Sequence, residues 1–348
     1  MRLIKLLLPV IVFFSFYGKI IAQDTTRQMN KQDTTNMVNK HDTTKLMNKQ
    51  DTTNLISQLE KEGVENKTLY TTATFKYTRV VDGHSVENLP AHVLDVRISH
   101  RFGPLSNGVY QFFGLDYGFF NVRVGFDYGI TNNFMIGAGH NSWQKTYDAF
   151  FKIKILRQSE GAVKMPVTIS FVPTVALNTL KSSDIASSNK PDPGAKTEPL
   201  SYTFQLLIGR KFSDGFSLQI MPTFIHTDNI SFNHFKNGSY KRDIIAVGIG
   251  GRQKISRRMS VNAEYYYQLP GTEATTANNV VSFGIDIGTG GHVFQLHFTN
   301  SLGLTEKSFI SETDKHGLNS GLRFGFNISR VFQLGKKHKG GSTEWKKG

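Results

Sequence analysis

Cysteine is absent from all 348 residues. That excludes a disulfide scaffold, a thiolate metal site, a cysteine nucleophile and a lipid-modified N-terminal cysteine. Acidic residues are few beside basic ones, 27 against 41, so the formal charge is +14. Loss of Arg2, Lys5 and Lys19 with an export signal would leave 14 − 3 = 11. Such a balance suits an anionic lipid surface, an anion path or nucleic acid. Export makes nucleic acid the weakest of these, so no nucleic-acid partner is expected. Uninterrupted apolar stretches are missing too, apart from Leu6 to Phe16. Pro9, Ser15 and Lys19 make that run short for a membrane anchor. It reads as a signal peptide over 1–22, cut near Ala22. Any further membrane crossing must use strands closed into a barrel, because open sheet edges are not tolerated in lipid.

Glycine (32) and phenylalanine (27) are abundant, which suits aromatic strands punctuated by turns. Three segments share one hairpin pattern of apolar, Ser/Thr, two turn residues, aromatic or Met, any residue, apolar. They are Ile130 to Ile136, Phe212 to Leu218 and Ile255 to Val261. Period-two hydrophobicity enters and leaves each turn in phase. Phe120, Val122, Val124, Phe126 and Tyr128 alternate with Asn121, Arg123, Gly125, Asp127 and Gly129. Each ribbon therefore has one apolar and one polar face.

Twelve strands are expected, at 93–102, 119–129, 134–142, 147–157, 165–177, 200–212, 216–226, 243–255, 259–268, 280–287, 292–300 and 321–334. Short connections alternate with long polar ones, the brief link at 143–146 excepted. An even strand count with tight turns at one end and long loops at the other indicates a transmembrane antiparallel up-and-down β-barrel. Residues 70–79 also have strand character, which would make thirteen. Residues 63–92 are therefore assigned to the lumen or to the periplasmic rim. The chain divides into the signal, a repetitive periplasmic tether at 23–62, this segment, the barrel at 93–334 and a polar periplasmic tail at 335–348.

The apolar faces are consistent from strand to strand, as with Leu94, Val96 and Ile98, or Phe294, Leu296 and Phe298. The opposite faces carry Asp95, Arg97, Arg101, Arg123, Asp127, Lys152, Lys154, Lys211, Arg252, Lys254, Glu264, Asp286 and Arg323. Unpaired charges in a sandwich core would cost several kcal/mol each. In a wet lumen they cost little, so the charged face is expected to line the lumen. Nine of these thirteen are cationic, which favours anions over cations. The alternative is that charge ladders or residues 70–90 fill the interior.

Residues 24–59 hold four nine-residue units that begin at Asp24, Asp33, Asp42 and Asp51, each followed by two threonines. Nine residues turn a helix by roughly half a turn beyond whole turns, so no continuous apolar stripe forms. An extended, disordered tether is expected, closed by a short helix at Leu55 to Glu62.

Several longer strings are distinctive. They include Gly83-His84-Ser85-Val86-Glu87, Ile98-Ser99-His100-Arg101-Phe102-Gly103, Lys145-Thr146-Tyr147-Asp148, Ala263-Glu264-Tyr265-Tyr266 and Gly290-Gly291-His292-Val293-Phe294-Gln295-Leu296. On these the chain resembles an uncharacterised outer-membrane β-barrel family of the Bacteroidota, domain-of-unknown-function family 5777, over roughly residues 70–334. The resemblance implies an outer-membrane location and brings no catalytic or binding residues. The Asp-Thr-Thr triplets are similar to the O-glycosylation signal of exported Bacteroidota proteins, which would place sugar on Thr25, Thr34, Thr43 and Thr52.

Enzymatic signals are weak. His140 and Ser142 face outward two residues apart, a pairing that resembles outer-membrane phospholipases, where an imidazole activates a hydroxyl. Trp143 follows the serine, and no orienting Asn or Asp can be assigned. Asp82, His84 and Glu87 have no ligand spacing for a metal, and Gly288 to Gly291 reads as a turn. No cofactor is expected. The leading expectation is a narrow pore or binding barrel for small anionic solutes, in contact with outer-membrane lipid. The alternative is an anchoring protein whose residues 24–59 reach a periplasmic protein or the cell wall.

Overall fold

The computed structural model describes residues 67–116, 118, 120–179, 200–227, 242–272, 278–313 and 321–335. The expected signal peptide, tether repeats, Leu55 to Glu62 helix, glycosylation threonines and nearly all of the polar tail lie outside the described residues.

Twelve antiparallel strands close into a barrel, each paired with its neighbours in sequence. They are β1 (Val93–Pro104), β2 (Asn121–Gly129), β3 (Phe134–Asn141), β4 (Thr146–Leu156), β5 (Thr168–Asn178) and β6 (Leu200–Lys211). The second half is β7 (Phe216–Thr227), β8 (Asp243–Lys254), β9 (Met259–Gln268), β10 (Val280–Thr289), β11 (His292–Thr299) and β12 (Arg323–Gln333). The last strand pairs with the first, with Ile328 opposite Ile98 and Phe332 opposite Leu94. Closure leaves the barrel with no open edge, as a lipid-spanning sheet requires. The expected twelve strands are all present, with ends shifted by up to a few residues. Met165, expected to open β5, instead forms an isolated bridge to Ser159.

The repeated hairpin pattern has one geometric cause. Thr131 Oγ1 accepts the Asn133 and Phe134 amides at 3.2 and 3.0 Å. Ser213 Oγ accepts the Gly215 and Phe216 amides at 3.3 and 3.1 Å. Ser256 Oγ does the same for Arg258 and Met259 at 3.3 and 3.1 Å. In each case a hydroxyl takes up amides that the ladder cannot reach, which is why Ser or Thr stands at that place.

Outward positions are apolar and exposed, among them Phe126, Phe151, Ile220, Ile249 and Phe283. Inward positions are small or polar and buried. Residues 70–79 form no barrel strand. Thr68–Tyr70 pairs with Ser159–Gly161 as a separate two-stranded ribbon. The stretch 301–320 was expected to be a long polar loop. Its described part instead enters the barrel and forms a six-residue helix α1 (Glu306–Ser311), every residue of which is buried. Apolar Phe309 and Ile310 inside this polar run give it something to bury.

Candidate functional site

The thirteen charged residues assigned to the inward face by alternation all lie on it. Asp95, Arg97, Arg101, Arg123, Asp127, Lys152, Arg252, Glu264, Asp286 and Arg323 are buried, while Lys154, Lys211 and Lys254 are half-buried. Few of them pair with one another. Arg123 holds Asp148 through two parallel bonds, Nε to Oδ1 at 2.8 Å and Nη2 to Oδ2. Asp286 accepts from Asn262, Gln295 and Ser260. Asp95 accepts from the Ser329 hydroxyl.

Most of the remaining charge is spent on residues 74–89, which the barrel wall encloses. Lys152 Nζ donates to the carbonyls of Thr78, Ser85 and Glu87 at 3.2, 3.0 and 2.9 Å. Glu264 accepts three successive main-chain amides, from Val81 at 3.2 Å, Asp82 at 2.7 Å and Gly83 at 3.2 Å. Gln219 brackets the next turn, accepting the Val86 amide and donating to the His84 carbonyl, both at 2.7 Å. Gln295 donates to the Val80 carbonyl at 2.8 Å. Arg252 donates to the carbonyls of Ala73 and Thr74. Arg101 pairs with Asp82, whose other oxygen accepts from Ser282 at 2.6 Å.

A segment with little regular structure has main-chain groups that secondary structure does not satisfy, and burial makes each orphan costly. Polar side chains on six different strands supply those partners, Asn327 of β12 adding a bond to the Val81 carbonyl at 3.4 Å. A tight reversal helps: Val80 donates to the Gly83 carbonyl at 2.9 Å and Ser85 to the Thr78 carbonyl at 3.0 Å. The apolar side chains of the segment, Phe75, Val80, Val81, Val86 and Leu89, pack on inward Met135, Phe150, Val172, Leu207, Met221 and Tyr266. Held by both kinds of contact, residues 74–89 are a plug.

A second piece caps it. Glu306 on α1 sits 3.0 Å from Arg79 and 3.2 Å from the His84 imidazole. Burial pulls the Arg79 guanidinium down to about 10, against the attraction of Glu306. Burial, and then the nearby cations Arg79, Lys152, Arg97 and Arg123, push His84 well below its usual value. His84 is therefore neutral at pH 7.

The mouth at the tight-turn end of the barrel is basic. Lys76 is lowered first by burial and next by Arg252, with Lys254 adding to this and Asp286 opposing it. Among the described residues, Lys76 Nζ reaches only the Arg257 carbonyl, at 3.4 Å. Lys211 touches the Thr72 carbonyl at 3.2 Å and exposed Asp214 at 2.8 Å. Four cations thus stand together where the plug enters.

Other candidates are not assembled. The Ser142 hydroxyl accepts the Val122 amide at 2.9 Å and donates to Asn121 Oδ1 at 3.3 Å. The His140 ring packs on Tyr147 instead, with centroids 4.5 Å apart. Among the described residues no group of three or more His, Asp or Glu could hold a metal ion. Asp82 belongs to Arg101, His84 to Glu306, and Glu87 to the Thr74 amide at 2.7 Å. Gly290 and Gly291 turn β10 into β11. Alternation reached the inward wall but missed its partners. Asp148 was legible by parity on β4, and Arg79 lay in the segment assigned to the lumen or the rim; nothing in sequence marked Glu306 or Lys307 as interior.

A family model for membrane-bound beta barrel domains, DUF5777, matches residues 75–332, from the plug through the last strand. The chain belongs to this family. The matched stretch of this chain takes in the filling as well as the wall, and this outer-membrane protein meets lipid with its outward face. No protein of curated function matches the chain. Solved structures are similar only at the level of barrel architecture. The NanC porin is 12% identical, with 68% of this chain and 98% of that one covered and a TM-score of 0.43. The KdgM porin in complex with disordered oligogalacturonate is 7% identical, with 69% and 99% covered and a TM-score of 0.41. An outer membrane channel from Pseudomonas putida F1 is 12% identical, with 72% and 100% covered and a TM-score of 0.42.

Proposed function

We propose that this barrel binds small anionic solutes at its periplasmic mouth and passes them when residues 74–89 shift from the wall. The basic cluster of Lys76, Lys211, Arg252 and Lys254, set against a filled interior, carries this reading. Cations gathered at a narrow opening raise the local concentration of anions and repel cations. The wall holds the plug by apolar packing and by polar contacts spread over many strands. Passage requires water and the solute to replace those polar contacts as the plug moves.

The absence of native cysteine allows a direct test. A β-carbon built on Gly209 of β6 lies 3.5 Å from that of Val86. That separation suits a disulfide, so Val86→Cys with Gly209→Cys ties plug to wall. In planar bilayers the reduced protein is expected to give anion-selective steps and the oxidised protein none. Silence under both conditions, or preference for cations, removes the reading.

The filled interior favours a second reading, an anchoring protein whose residues 24–59 engage a periplasmic protein or the cell wall. Deleting 24–59 without changing which proteins co-purify counts against it.

A further inference from the structure

Among the outward positions of the twelve strands, only two carry Arg or Lys: Arg210 on β6 and Arg330 on β12. Every other cation on a strand points inward. In a closed ring of twelve, β6 and β12 are six places apart in both directions, so the two arginines stand on opposite sides.

Both have the same local construction. Each lies two residues before a phenylalanine on the same face, and its guanidinium sits over that ring. Arg210 is 5.1 Å from the centre of Phe212, and Arg330 is 5.0 Å from the centre of Phe332. Both lie near the turn end of the barrel. Arg210 is opposite Leu218, two residues into β7, and Arg330 is opposite His292, the first residue of β11. Both side chains are exposed, and among the described residues neither has an ion-pair partner.

A guanidinium facing hydrocarbon is costly at mid-depth and tolerated only at the headgroup level. An aromatic ring beneath it covers one flat face and fixes its plane. The in-plane N–H donors of an exposed guanidinium form a fork that matches a phosphate. We propose that Arg210 and Arg330 are two headgroup sites, each binding the phosphate of one phospholipid in the periplasmic leaflet. Placed on opposite sides at one end, they fix the depth and tilt of the barrel. This inference is independent of the anionic-solute reading, because neither residue faces the lumen.

Native mass spectrometry of the detergent-purified full-length chain tests it, with dioleoyl phosphatidylglycerol as the probe. Wild type is expected to keep two phospholipids under activation that strips the rest. Arg210→Gln and Arg330→Gln each keep one, and the double variant none. A dioleoyl glycolipid without phosphate is not retained, and millimolar inorganic phosphate does not displace the lipid. If the double variant does not fold, the singles and the Arg210→Lys/Arg330→Lys pair still decide. The lysine pair is expected to bind about tenfold more weakly, having lost the planar fork. Unchanged retention in every variant, equal retention of the phosphate-free lipid, or displacement by inorganic phosphate overturns the proposal.

Discussion

The ammonium of Lys152 on β4 donates to the Ser85 carbonyl across 3.0 Å, crossing from the barrel wall to the plug. Carbonyls of Thr78 and Glu87 complete a three-oxygen cage around a fully buried cation. Lys152→Met keeps the apolar stem and removes all three charge-assisted bonds. A loss on the order of 2–4 kcal/mol is expected, given ordinary values for such bonds and the desolvation recovered. Urea unfolding in micelles measures it. Lys152→Arg does not restore stability, because a planar fork does not fit converging oxygens.

Acid is expected to loosen the plug. The His84 imidazole is held neutral by burial and by Arg79, Lys152, Arg97 and Arg123, with Glu306 beside it. Its folded value lies below the unfolded 6.5, so the unfolded chain binds more protons as pH falls. The contribution is complete above about pH 6.5 and declines below it. Protection factors of the plug amides, with the intrinsic exchange rates divided out, should therefore fall from pH 7 to pH 5. In His84→Gln that part of the pH dependence should disappear; an unchanged profile in this variant contradicts the assignment.

A β-carbon at Gly139 on β3 would lie 2.5 Å from Arg123 Nη2 and 2.6 Å from its Cζ. Gly139→Ala must therefore displace Arg123 from Asp148. Breaking a buried pair costs roughly 3–5 kcal/mol. The expected outcome is a lower yield of heat-modifiable barrel on refolding into detergent, with Asp148→Asn showing a similar loss.

Depth on the outward face is checked by two arginines. Ile249 is mid-strand on β8, and Ile255 lies just beyond its end. Ile249→Arg is expected to cost about 2–4 kcal/mol in a bilayer, and Ile255→Arg about 0–1 kcal/mol. Equal costs in vesicles would mean that the apolar face does not sit in hydrocarbon.

The wall was legible because alternation is a local property. Leu94, Val96 and Ile98 announce their face without reference to any other strand, and Thr131, Ser213 and Ser256 announce their turns. Closure was inferred from what a greasy outer face requires, and the seam between β12 and β1 supplies it. The filling was much less legible. Residues 74–89 follow no period, because their partners come from strands far apart in sequence, such as Gln219 and Gln295. Helix α1 was missed for the same reason: six residues within a polar stretch leave no repeat to detect, and Glu306 has meaning only beside Arg79 and His84.

Across the seam, the Ser329 hydroxyl meets the Asp95 carboxylate from 234 residues away. The stretch that will occupy the centre is made by the ribosome before any stave of the cask exists. It must then wait, its amides and carbonyls bathed in water, until the final stave arrives. Wrapping and filling are consequently one event: a chaperone that delivers this polypeptide has to keep its earliest portion unentangled until its latest has been threaded in.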